Sequence, residues 1–353
     1  MGNTTLWPAL DPKPTSKWLW SPLVDTLIVA GVASFILAAV CVPVALAYPP
    51  ANVLILTAFL HLGVLCNYPH YASTYHIIYR ERGSRPANWR FLLASIPFAM
   101  GVFVLGVAYP ILLGPYVRVY LTWSAWHYSA QHFGIAAMYY ARDKRPLTDP
   151  EKRFLQIAFG LVALSMMLVA NTTNAAGAEN PFGGAQYGTA IALLPEPFYW
   201  VSVTVALLSL VPLFVARRMV EARTGRPLDR TTWLLYGTNF GWFVLPYLRL
   251  PGQHGPWMGP LAMWVVFLIP FFHCAQYLVV TSWRARTTGA VKPAFMFAAL
   301  VVLGLALFEG WTALVPKLSK LTYEEALMLV PPILNVHHFI VDGTIWKRPK
   351  KKA

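Results

Sequence analysis

The sequence predicts an all-α, polytopic membrane helical bundle of about ten transmembrane helices, with the N- and C-termini cytoplasmic. Three features predict it: the composition, the length of the apolar runs and the placement of the basic residues. Of 353 residues, 57% are hydrophobic and 12% charged, with a mean hydropathy of +0.51. A soluble domain carries about 25% charged residues, and a soluble chain of this length divides into domains joined by polar linkers. The apolar runs leave no room for such linkers, which excludes the soluble enzyme folds. The chain therefore reads as a single integral membrane domain over 1–353. It has a cytoplasmic segment at 1–22, a long outside loop at 171–198 and a basic cytoplasmic tail at 347–353.

A helix needs roughly 20 apolar residues to cross a bilayer core. Runs of about that length lie near 24–47, 52–79, 91–113, 117–141, 154–170, 199–216, 232–249, 260–281, 293–312 and 326–346. With the N-terminus inside, 24 of the 28 lysines and arginines fall in inner segments, and only Arg118, Arg249, Lys317 and Lys320 fall outside. Such asymmetry is the signature of cytoplasmic loops. It turns the net charge of +14 into a topology signal and removes the need for a nucleic-acid partner. Cys41, Cys66 and Cys274 all lie inside apolar runs, so neither a disulfide framework nor a CxxC metal site fits. The 171–198 loop, rich in Gly, Asn, Ala and Pro, reads as a connector. Its Gly-Gly-x-x-x-Gly lacks the preceding strand and following Lys-Ser/Thr of a phosphate loop.

Ionisable side chains inside a bilayer are expensive, and each marks a functional candidate. Only His254 lies in an outside loop; the other histidines fall in the second, fourth, eighth and tenth runs. They are His61, His70 and His76; His127 and His132; His273; and His337 and His338. These four runs all descend from outside to inside, so depth can be counted back from the next basic residue. His70 and His132 precede Arg80 and Arg142 by 10 residues, His273 precedes Arg284 by 11, and His337 and His338 precede Lys347 by 10 and 9. At about 1.5 Å per residue, four helices deliver imidazole to one level near the middle of a core about 30 Å thick. His127 lies about one and a half turns further out, and His76 about as far further in.

Several neutral imidazoles crowded in low dielectric all need partners, and a bound metal satisfies them together, since neutral imidazole is the commonest metal ligand. His70, His132, His273, His337 and His338 are the predicted ligands, with His127 and His76 completing a second metal or shifting the set. Ligand histidines are oriented by amides and carboxylates. Gln131 shares a helix face with His127, Gln276 follows His273 by three residues, and Asp342 follows His338 by four. Asp342, Gln131 and Gln276 are thus the predicted catalytic residues, orienting the ligands. Pro69, Pro270 and Pro331-Pro332 stand just ahead of histidines, where a lost backbone bond bends the helix beside a cavity.

The di-iron bundle class needs Glu-x-x-His pairs, and the sequence has none. A histidine-held non-haem iron site of one or two ions in an apolar cavity suits oxygen chemistry, with zinc or haem as alternatives. The expected protein is an iron oxygenase or desaturase-like oxidase. It would act on a lipid or isoprenoid entering from the bilayer, among membrane lipids, with a redox partner where electrons are required. Two other classes stand beside it: a membrane haem protein for electron transfer, and a metal or small-molecule transporter. The scatter of Asp25, Glu309 and Asp342 and the lack of an inverted repeat weigh against transport.

The midspan histidines, the QHFG of Gln131 to Gly134 and the FFHCAQY of Phe271 to Tyr277 resemble the bacterial Brp/Blh family. Its members are multi-span, histidine-rich, iron-dependent membrane enzymes that cleave β-carotene to retinal. The resemblance covers these short segments. It implies a helical membrane fold, iron, a carotenoid substrate and a bacterial inner membrane. The HxxxH and HxxHH boxes of membrane desaturases and alkane hydroxylases are missing.

Overall fold

The computed structural model describes residues 17–80, 89–171, 194–195, 197–244, 258–288 and 293–345. Most of the 1–22 segment and of the 171–198 loop, His254 and the 347–353 tail lie outside the described residues. So do the side chains of some helical residues, His76 among them.

The regular structure is helical. Helix α1 (Pro22–Val24) starts where Ser21 caps the Val24 amide at 3.1 Å, with proline in the first helical position, and runs into a π-helical turn at Asp25–Val29. Gly31 then breaks the chain with φ +77° before α2 (Val32–Ala47). Helices α3 (Pro49–Arg80), α4 (Trp89–Ala108) and α5 (Leu113–Arg142) follow. A Thr148/Glu151 capping box opens α6 (Asp149–Ala170), satisfying two amides that a helix start leaves orphaned. Helices α7 (Phe198–Leu208) and α8 (Leu210–Thr224) come next, and α8 ends on Gly225 in the left-handed conformation that favours glycine. The remaining helices are α9 (Arg230–Phe243), α10 (Met258–Thr288), α11 (Pro293–Leu305), α12 (Trp311–Leu318) and α13 (Tyr323–Ile345). A second π-helical turn, Ala306–Gly310, joins α11 to α12.

Among the described residues, four stretches are long and apolar enough to cross a membrane: Asp149–Ala170, Phe198–Thr224, Met296–Leu318 and Tyr323–Gly343. The number rises to six if two bent pairs each count as one span, Pro22–Val29 with Val32–Val44 (61°) and Ser95–Ala108 with Pro110–Arg142 (119°). Large apolar side chains such as Val104, Leu207 and Val302 remain exposed. In water they would be a liability, but against lipid they cost nothing. This is an all-helical chain consistent with a membrane protein.

Helices α3, α5, α10 and α13, which carry the buried histidines, adjoin one another: α3 packs on α10, and α13 on both α5 and α3. Polar ties gather one end of the bundle. Lys17 pairs with Asp229 at 2.9 Å, and Arg142 donates to the carbonyls of Lys17 and Trp18, each at 3.0 Å. Arg223 grips both oxygens of Glu151 at 2.7 and 2.9 Å. The buried Asp25 carboxylate accepts from the Leu19 and Trp20 amides and from the Tyr139 hydroxyl. Charge-assisted bonds of this kind are the stronger ones. Here they fix where α5 ends relative to its neighbours.

Candidate metal centre

Four imidazoles from four helices converge inside the bundle. His70 comes from α3, His127 from α5, His273 from α10 and His338 from α13. Ring centroids are 4.5 Å apart for His70–His338 and 5.0 Å for each of His70–His273, His127–His273 and His127–His338. His70 and His127 face each other at 6.4 Å. The rings thus form a four-sided array in which each histidine adjoins two others. Aromatic rings wall it: Tyr277 lies 4.2 Å from His70, Tyr128 4.2 Å from His273, Tyr71 4.6 Å from His338 and Phe339 4.3 Å from His127. All four histidines are buried. Both ring nitrogens of His70, His273 and His338, and Nε2 of His127, have no hydrogen-bond partner.

A layer of polar groups lies one turn further along the same helices. Thr74, Gln131, Tyr277 and Asp342 each follow their histidine by four residues, the spacing that stacks side chains on one helix face. Asp342 Oδ1 accepts from the Thr74 hydroxyl at 3.0 Å and the Tyr277 hydroxyl at 3.1 Å, and those two hydroxyls are 2.8 Å apart. Asp342 Oδ2 lies 3.4 Å from His338 Nε2. Gln131 donates to the His273 carbonyl at 3.0 Å and to Gln276 Oε1 at 3.2 Å.

His132 occupies a different place. Its Nδ1 is 2.9 Å from the Tyr128 carbonyl, which can only accept, so that nitrogen carries the proton. The lone pair on Nε2 faces the Gln276 amide at 3.2 Å, and Trp242 meets the ring edge-on. The predicted depth level put His132 with His70, and the structure puts His127 there instead. A depth count carries no information on helix face, and residues five apart in an α-helix point in different directions, so only one of the two α5 histidines can face the array. His337 is partly buried beside His338 and outside the converging sets. His61 is exposed and bonds the Thr57 carbonyl. Thr74 was not singled out by the sequence, although its four-residue spacing from His70 repeats the His338–Asp342 spacing. Asp342 and Gln131 lie beside the array, and Gln276 reaches it through Gln131.

Among the described residues, two groups bring three ligand atoms within 4.8 Å of one another: His70, His127 and His273; and His127, His338 and Asp342. No family model, curated protein or solved structure matches the chain.

Proposed function

We propose that the chain is a membrane-embedded metalloenzyme, a non-haem iron oxygenase or desaturase-like oxidase acting on a lipid or isoprenoid substrate. Its ligands are His70, His127, His273 and His338. The observation that carries this reading is the set of buried imidazole nitrogens without partners. A buried polar atom left unsatisfied costs about 1–3 kcal/mol. Six of them in one place, leaving aside His338 Nε2 beside Asp342, forfeit on the order of 10 kcal/mol, comparable to the whole stability of an ordinary domain. Native interiors do not carry that density of orphaned groups. A metal ion coordinated by neutral imidazoles takes the lone pair of each ring and offsets that part of the cost.

Imidazole suits iron, zinc and copper, and iron with open coordination positions supplies oxygen activation. The chain's own residues do the rest. Gln131 anchors the backbone at His273 and so sets that ring's height. Tyr71, Tyr128, Tyr277 and Phe339 keep water away from the histidines and offer an apolar, aromatic surface to a hydrophobic substrate. Such a substrate partitions into the bilayer and needs no soluble entrance. The resemblance of the QHFG and FFHCAQY segments to the Brp/Blh family favours an isoprenoid or carotenoid and a bacterial inner membrane. The topology belonging to this reading is ten spans with both termini cytoplasmic.

Metal analysis of the detergent-purified chain, combined with its absorption spectrum, tests the reading. Iron is expected in the wild type, together with a spectrum free of a Soret band. His273→Ala is expected to hold less iron than the wild type while keeping its helical circular dichroism. A folded protein that takes up no metal overturns the proposal, and a Soret band transfers it to the haem electron carriers.

A further inference from the structure

The ligand atoms around the array do not gather at one point. Those of His70, His127 and His273 form one set within 4.8 Å and those of His127, His338 and Asp342 form another, with only His127 in common. The second set contains a carboxylate whose two oxygens have different surroundings. Oδ1 accepts from Thr74 and Tyr277, on α3 and α10, at 3.0 and 3.1 Å. Oδ2 is turned to the histidines, 3.4 Å from His338 Nε2. The two hydroxyls lie 2.8 Å apart, and with one proton each they can make two of these three contacts at a time, all centred on Oδ1. Carboxylate ligands in metal sites are typically held this way, one oxygen hydrogen-bonded by neighbours and the other given to the ion.

Donor type then separates the two sets. Three imidazoles are an ordinary open site for zinc or another borderline ion. Two imidazoles and one carboxylate make the donor set of non-haem Fe(II) centres that activate oxygen. Resting on the metal-centre reading above, we propose that this centre has two metal positions. Asp342 is a direct ligand of the oxygen-activating iron with His127 and His338, and Thr74 and Tyr277 are the positioning residues that aim it. His70 and His273 hold the other ion, and His127 reaches it only through its second ring nitrogen, as an imidazolate that has lost its proton.

The test is a count of ions. Purified chain in detergent is stripped with chelator, reloaded anaerobically with Fe(II), desalted and analysed for iron per chain. Two ions are expected for the wild type, one for Asp342→Asn and one for His273→Ala, each with wild-type helical content. The combined Thr74→Val, Tyr277→Phe variant keeps every ligand, and its more weakly held ion is expected to bind about 10–100-fold less tightly than in the wild type. A single iron in the wild type, or two in Asp342→Asn, overturns the two-position proposal and leaves a metal centre standing. A folded wild type without iron removes both. If Asp342→Asn does not fold, the hydroxyl pair decides: unchanged affinity for both ions overturns the role given to Asp342.

Discussion

An imidazole whose proton and lone pair are both engaged has nothing to give a metal, and this separates His132 from the four histidines of the array. Its Nδ1–H donates to the Tyr128 carbonyl, and its Nε2 accepts from Gln276, which in turn accepts from Gln131. His132 therefore ties α5 to α10 through Gln276, beside the four-histidine array. His132→Ala leaves the buried Gln276 amide without its His132 partner, costing about 1–3 kcal/mol. The expected result is a lower melting temperature in detergent with iron content close to wild type. A loss of iron as deep as that of His273→Ala makes His132 a ligand. The contrast also shows how far sequence reads at this scale. A histidine followed four residues later by a polar group is legible in the chain. Which of the two histidines on α5 faces the others depends on how α5 packs against α13 and α9, contacts between segments far apart in sequence.

At the scale of elements, apolar runs and helices coincide closely, because in a bilayer the backbone has to satisfy its own hydrogen bonds and a long apolar run has few alternatives. The prolines read from the sequence as bends do lie within helices, at Pro69 in α3, Pro270 in α10 and Pro331-Pro332 in α13. The π-helical turns at Asp25–Val29 and Ala306–Gly310 had no legible signal, since they add one residue to a turn without changing its composition. Nor did the role of Gly31. It has φ +77°, and a Cβ there would lie 2.6 Å from Thr238 Cγ2 and 3.3 Å from the Gln276 amide nitrogen. Thr238 is itself fixed by a 2.6 Å bond to the Ala30 carbonyl, so the clash cannot relax easily. Gly31→Ala combines a left-handed backbone with this overlap and should destabilise by about 2–4 kcal/mol. Gly63, inside α3 with open space around it, is the comparison; there alanine should be neutral or stabilising by up to about 1 kcal/mol. Thermal unfolding of both variants in detergent measures the difference, and equal melting temperatures contradict this account of Gly31.

For the whole molecule, the distribution of basic residues makes a claim that the polar ties allow to be tested. The segments assigned to the inner side by charge are far apart in sequence. Yet Lys17 meets Asp229, Arg142 meets Lys17 and Trp18, Arg223 meets Glu151, and Arg286 lies 5.3 Å from the Trp20 ring. Four of those segments thus share one end of the bundle. Leu113 and Val117, close to Arg118, instead pack with Val315 and Leu321, close to Lys317 and Lys320. Retention of Lys and Arg on the cytoplasmic side would assign the first of these ends to the cytoplasm. Single cysteines at two exposed positions read the orientation, with Cys41, Cys66 and Cys274 replaced by alanine. In intact cells a membrane-impermeant maleimide should label Lys320→Cys and spare Arg226→Cys until the membrane is opened. The reverse pattern inverts the protein, and labelling of both from outside places the two positions on one side and breaks the assigned topology. The site is bound to the outcome. Along α3, α10 and α13 the hydroxyl and carboxylate layer follows the histidines toward the end that charge assigns to the cytoplasm, so an inverted protein would turn Asp342 toward the outside.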